Sequence, residues 1–141
     1  MASETVHRSD IGAFARRFAE TIQPGDIHLL IGPLGAGKTT FVREIARVLD
    51  ADAMVSSPTF TIVNEYDIAL RGERMPLRHV DLYRLEGVDA VHTIGLMDML
   101  ADRGVSFIEW GERLKPLVSS YIEITIDIVS DDARRFTVER H

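Results

Sequence analysis

Gly32-Pro33-Leu34-Gly35-Ala36-Gly37-Lys38-Thr39 has the residue types and spacing of a G-x-x-x-x-G-K-[ST] phosphate-binding loop. Gly35 and Gly37 permit backbone torsions that turn successive N–H groups onto one anion. Lys38 adds a point charge toward the β- and γ-phosphates, and Thr39 offers a hydroxyl for magnesium. The positive end of a helix beginning near Thr40 favours the same ligand. Together these residues predict binding of a nucleoside triphosphate or diphosphate with magnesium.

A triphosphatase needs an acid at the end of a neighbouring strand, to hold the metal shell or orient the attacking water. Asp81 closes Leu77-Arg78-His79-Val80, and Glu109 closes Val105-Ser106-Phe107-Ile108. The second strand is the more apolar, so it is expected to be central, and it favours Glu109 beside Thr39 in the metal shell. Asp81 lies in a wetter strand and is left for the water or the γ-phosphate side of the metal. Trp110 either packs in the core or borders the nucleotide or a partner. The hydroxyl-rich Ser56-Ser57-Pro58-Thr59-Phe60-Thr61 reads either as a polar turn or as a switch that completes the γ-phosphate shell. Guanine readers carry Asn-Lys-x-Asp; the nearest string here, Asn64-Glu65-Tyr66-Asp67, has an acid in the lysine position, which points to ATP. His28, His79 and His92 lack metal-ligand spacing and read as structural or surface residues.

The elements that must position these groups are legible as an α/β pattern. Ser9 or Asp10 can cap a helix with apolar positions Ile11, Phe14, Ala15, Phe18, Ala19 and Ile22, which Pro24-Gly25-Asp26 ends. Ile27 to Ile31 is a buried strand feeding the loop, and Phe41, Ile45 and Val48 or Leu49 mark the helix after it. Ala53 to Ser57 reads as a short link. Thr59 to Tyr66 and Leu77 to Leu82, separated by the polar Arg71 to Arg74, predict a β-hairpin. Asp89 to Asp102 predicts two short helices meeting near Gly95, the second ended by Gly104. Ile122, Ile124, Ile126 and Ile128 alternate with polar residues as in a half-buried strand, and Phe136-Thr137-Val138 pairs back after Asp131-Asp132. The fold class is a single P-loop NTPase-like domain, residues 1–141, with a mixed parallel and antiparallel sheet flanked by helices.

At 141 residues, a two-lobed motor or a separate helical lid domain does not fit. The absence of cysteine excludes disulfides and thiolate metal sites and is compatible with a reducing cytoplasm. A formal net charge of −6 gives no general attraction to nucleic acid, so no DNA partner is expected. No apolar run approaches the roughly 18–20 residues of a membrane span, and the polar N-terminus lacks a signal-peptide core.

The same blocks resemble one family closely, TsaE (formerly YjeE), small bacterial ATPases of tRNA threonylcarbamoyladenosine synthesis. The matching residues are Glu4-Thr5, Gly32 to Val42 (GPLGAGKTTFV), Ser57 to Tyr66 (SPTFTIVNEY), His79 to Leu85 (HVDLYRL), Gly95-Leu96 and Ile108 to Arg113 (IEWGER), in the family's order. The resemblance implies an adenine nucleotide, ATP or ADP, held by Gly35, Ala36, Gly37, Lys38, Thr39 and Thr40, with Thr39 and Glu109 as magnesium ligands. It implies that Asp81 serves hydrolysis and that Ser57-Pro58-Thr59 is a switch. It places Thr5 and Arg134 on opposite sides of the nucleotide. It further implies partners of the TsaB and TsaD types, the assembly that transfers a threonylcarbamoyl group to adenosine next to the tRNA anticodon. The ATPase does not perform that transfer; it resets or remodels the assembly, with slow turnover alone and only indirect contact with tRNA.

This chain departs from the family pattern at Pro33, where an aspartate is usual, and at Gly111, where a proline is common and glycine is expected to loosen the turn. Gly87 to His92 lacks the usual acid-rich pattern. Two other classes use the same loop. A small-molecule kinase needs a cationic lid, for which Arg134-Arg135 and the six residues after them leave little. A non-catalytic nucleotide sensor would not need both Asp81 and Glu109.

Overall fold

Ile27-His28-Leu29-Leu30-Ile31 is apolar but for His28, with no polar–apolar alternation, and its three middle residues are buried on both faces at the middle of the sheet. The computed structural model describes residues 2–51, 54–56, 63–83 and 95–141. In chain order the elements are β1 (Ala2–His7), a 3₁₀ turn (Arg8–Asp10), α1 (Ile11–Ala19), β2 (Ile27–Ile31), α2 (Lys38–Val48) and β3 (Met54–Ser56). There follow β4 (Val63–Leu70), β5 (Glu73–Asp81), α3 (Leu96–Leu100), β6 (Val105–Glu109), a second 3₁₀ turn (Gly111–Leu114), β7 (Ile122–Ser130) and β8 (Ala133–Arg140).

One eight-stranded sheet runs in the order β1-β8-β7-β2-β6-β5-β4-β3. Its four central strands, β7, β2, β6 and β5, are parallel, and antiparallel pairs extend it at both ends. This is the expected mixed sheet, with the phosphate loop leaving the carboxyl end of a central strand, where open α/β sheets place their ligands.

Alternation along the strands divides the core into two layers. Leu30 and Phe107 face α1 and α2, whereas Leu29 and Ile108 face α3 and the second 3₁₀ turn. Phenylalanines dominate the first layer: Phe14 lies 4.7 Å from Phe136 and Phe18 5.4 Å from Phe41, ring centroid to centroid. Each such pair contributes about 0.5–1.5 kcal/mol beyond its buried area, which fastens α1 to α2 and to β8. His28 belongs to this layer, stacked on Phe107 at 4.2 Å, with its Nδ1–H donating to the Ser106 carbonyl at 3.0 Å.

Several local expectations are corrected. The segment carrying Glu4-Thr5 is an edge strand paired with β8, a pairing its own polar sequence does not announce. The link at Ala53 to Ser57 contains β3, which pairs with β4 at the other edge. Asp10 stands at the N-cap of α1, but its side chain makes no capping hydrogen bond. Gly104 does not end a helix. The helix stops at Leu100, and a Cβ at Gly104 would come within 2.9 Å of Arg78, Asp102 and Pro76, so glycine is there for close approach. Ile128 is 49% exposed, beyond the point where β7 is covered. The β5 strand is not wet toward its end: Arg78 and His79 are buried, and only Asp81 emerges. The first of the two helices expected over Asp89 to Asp102 lies outside the described residues.

Candidate functional site

The loop from Gly32 to Gly37 is shaped by its glycines. A Cβ at Gly32 would sit 2.5 Å from the Ile126 carbonyl oxygen, so only glycine lets the chain leave β2 beside β7. Gly35 and Gly37 have φ of 79° and 98°, the left-handed region that side chains resist, and Gly37 is the N-cap of α2. Pro33 is compatible with this geometry. Its carbonyl accepts the Ala36 N–H at 3.1 Å, and the donors of the loop lie later in the chain.

Lys38, the first residue of α2, folds back across the loop and is 4% exposed. Its Nζ donates to the Gly32 carbonyl at 2.5 Å and to the Pro33 carbonyl at 3.3 Å. The ammonium also lies 4.1 Å from the centroid of the Trp110 ring, a cation–π contact. Trp110 is therefore at the site edge, in the left-handed region (φ 61°), with Tyr83 5.0 Å away. Gly111 does not loosen the turn after it. A Cβ there would meet Leu29 Cβ at 2.7 Å, so the turn is packed tightly against β2.

Parallel pairing of β5 with β6 sets Asp81 opposite Glu109 at the carboxyl ends of both strands. Glu109 is buried, and its Oε2 accepts the Thr39 hydroxyl at 2.7 Å. The same oxygen accepts a hydrogen bond from His79 Nε2. Burial alone would push the Glu109 carboxyl up; the hydrogen bonds from His79 and Thr39, with Lys38 nearby, hold it below the ordinary carboxylate value. Asp81 is exposed, and its Oδ1 accepts the Tyr83 backbone N–H at 3.0 Å. Thr39 and Glu109 thus bring a hydroxyl and a carboxylate together, oxygen groups of the kind a hard divalent cation takes, and Asp81 lines the same cavity.

His79 is the residue that spacing missed. The available signal was its position two before Asp81, which places both side chains on one face of β5.

On the other side of the loop, Arg134 of β8 donates from Nε to the Ala36 carbonyl at 3.1 Å and from Nη2 to the Gly35 carbonyl at 3.2 Å. Its Nη1 is anchored on the Ser130 and Ala133 carbonyls at 2.6 and 3.0 Å. Thr5 is not brought there. It pairs with Arg135, one residue out of phase with Arg134, so its side chain leaves the opposite face of the sheet. Val6 and His7 line the space instead.

Two cavities flank the loop and share Gly35, Ala36, Gly37 and Thr40 as a common wall. The one beside β1 and β8, about 320 Å³, is bordered by Val6, Ile11, Phe136 and Arg134. The other, about 350 Å³, contains Lys38, Thr39, Asp81, Glu109 and Trp110. Ser57-Pro58-Thr59 lies outside the described residues.

Known proteins share this frame. The family model for "Threonylcarbamoyl adenosine biosynthesis protein TsaE" matches residues 5–136. The tRNA threonylcarbamoyladenosine biosynthesis protein TsaE of Bacillus subtilis is 37% identical over 134 residues, 94% of this chain and 81% of that protein. The Aquifex aeolicus protein of the same description is 35% identical over 93% of this chain and 90% of its own length. A crystal structure of Bacillus subtilis YdiB aligns with a TM-score of 0.71 at 31% identity, over 97% of this chain and 83% of that one. With agreement along nearly the whole chain in both sequence and fold, this chain belongs to the TsaE family of tRNA threonylcarbamoyladenosine biosynthesis.

Proposed function

We propose that this chain binds ATP across the loop, hydrolyses it with magnesium, and so drives or resets a threonylcarbamoyl transferase assembly of TsaB- and TsaD-type proteins acting on tRNA in the cytoplasm. The observation that carries this reading is the convergence of Lys38, Thr39, Glu109 and Asp81, from one helix and two strand ends, on one side of a phosphate loop. The cavity walled by Val6, Ile11 and Phe136 is apolar enough for a nucleoside, while the charged cavity suits the phosphates.

In this mechanism the N–H groups from Gly35 to Thr40 and the Lys38 ammonium bind the phosphates. Arg134 holds the loop in shape through its carbonyls. Thr39 and Glu109 would hold magnesium, which when bound neutralises charge on the phosphate oxygens. Exposed at the cavity mouth, Asp81 orients a water for attack on the γ-phosphorus and takes up its proton. The bond to the β-phosphate oxygen breaks, and ADP and inorganic phosphate leave. Among the described residues nothing covers the site against bulk water or fixes the nucleophile tightly, so turnover in isolation is expected to be slow.

The test is ATP hydrolysis by the purified chain, alone and with cognate TsaB- and TsaD-type proteins plus tRNA, for wild type and Asp81→Asn. Stimulation by the pair, lost in Asp81→Asn while ATP still binds, supports the reading. Tight ATP binding with no stimulated phosphate release would sink it in favour of a nucleotide sensor.

A further inference from the structure

A histidine buried at the end of a strand needs a reason, because an unpaired polar ring costs more there than the Leu77 and Val80 beside it. The partner of His79 is the carboxylate of Glu109, and the bond is made to Oε2, the oxygen that already accepts the Thr39 hydroxyl. Two donors from different elements, α2 and β5, therefore converge on one oxygen of one acid. A hydroxyl has a single proton to donate, so with that proton on Oε2 the Thr39 lone pairs are directed elsewhere.

We propose that His79 is a positioning residue: by pinning Oε2 of Glu109 it presents Oε1 to the phosphate-side cavity and sets how strongly magnesium tightens nucleotide binding. The proposal rests on the magnesium–nucleotide reading above and assigns a determinant within it. His79 is not among the described residues that line the cavity; it acts through Glu109. The arrangement also ties two functions to one strand. His79 and Asp81 lie on the same face of β5, whose ladder to β6 pairs His79 with Phe107 and Asp81 with Glu109. A shift of β5 would move the exposed acid and the support of the buried one together.

The test is calorimetric titration with ATP, in magnesium and in EDTA, for wild type, His79→Leu, His79→Gln and Glu109→Gln. Losing one hydrogen bond to a charged acceptor should cost His79→Leu about tenfold of the magnesium-dependent tightening. Its affinity in EDTA should stay within about twofold of wild type, since no phosphate contact is removed. His79→Gln, whose amide nitrogen falls close to the position of Nε2, should recover most of the loss. The double variant His79→Leu with Glu109→Gln should be no worse than Glu109→Gln alone. Should His79→Leu melt below the assay temperature, His79→Asn, whose amide is too short to reach Oε2, replaces it with the same expected loss.

Equal magnesium-dependent tightening in wild type and His79→Leu overturns the proposal, as does an equal loss with and without magnesium, which would make His79 a packing residue. If wild type itself gains nothing from magnesium, the underlying metal reading falls, and this inference falls with it.

Discussion

Replacing Arg134 by alanine removes the two hydrogen bonds that tie the phosphate loop to β8, those to the Ala36 and Gly35 carbonyls. A hydrogen bond from a charged donor contributes about 1.5–3 kcal/mol when sheltered, but this guanidinium is half-exposed and screened. About 1 kcal/mol for each bond, and about 2 kcal/mol for the pair, is the appropriate scale. If that energy keeps the loop in its binding conformation, the nucleotide must supply it in the variant, and affinity should fall about thirtyfold. Calorimetry with ATP and ADP in EDTA isolates the loop from the metal ligands. Arg134→Lys keeps the charge but loses the two-pronged reach, and should fall between wild type and alanine. Arg135→Ala is the control, because Arg135 is exposed and lies on the opposite face of β8. Wild-type affinity in Arg134→Ala would refute loop holding. Full affinity in Arg134→Lys would show that charge alone matters.

Three further outcomes follow from the same geometry. Lys38→Ala should weaken ATP and ADP binding by about tenfold or more, the worth of a charged hydrogen bond to phosphate, and unchanged affinity by calorimetry would contradict the loop assignment. Gly111→Ala forces a Cβ to within 2.7 Å of Leu29 Cβ. Overpacking of this kind costs about 1–3 kcal/mol, a fall of roughly 3–10 °C in melting temperature, and an unshifted melt would mean the turn has slack. Burial pushes the His28 ring down to about 4 from 6.5. On acidification the unfolded chain therefore binds the proton first, and stability declines from about pH 6.5 to pH 4 by about 3 kcal/mol. His28→Phe, which takes up no proton, should flatten that part of the pH–stability curve, and an unchanged slope would assign it to the carboxylates.

The sequence alone determined whatever depends on local chemistry. Gly35, Gly37, Lys38 and Thr39 mark the phosphate loop because only glycine adopts those torsions cheaply, and a strand and a helix must flank it. The strand-end positions of Glu109 and Asp81 are legible because acids that close apolar runs fall at strand ends, and the apolar character of the β6 strand points to its central place. What only the tertiary structure decided was pairing between distant segments. The β1 strand is too polar to announce itself and exists because β8 offers an edge. The phase of that pairing, not any local signal, sends Arg134 to the loop and Thr5 away from it. His79 looked like a structural histidine until the parallel register of β5 and β6 set it against Glu109. Gly104 and Gly111 read as a helix end and a loose turn, yet both are required by backbones and side chains remote in sequence. The common reason is range. Torsional preference and alternation act over a few residues, whereas hydrogen-bond register and close approach are fixed only when segments distant in sequence meet.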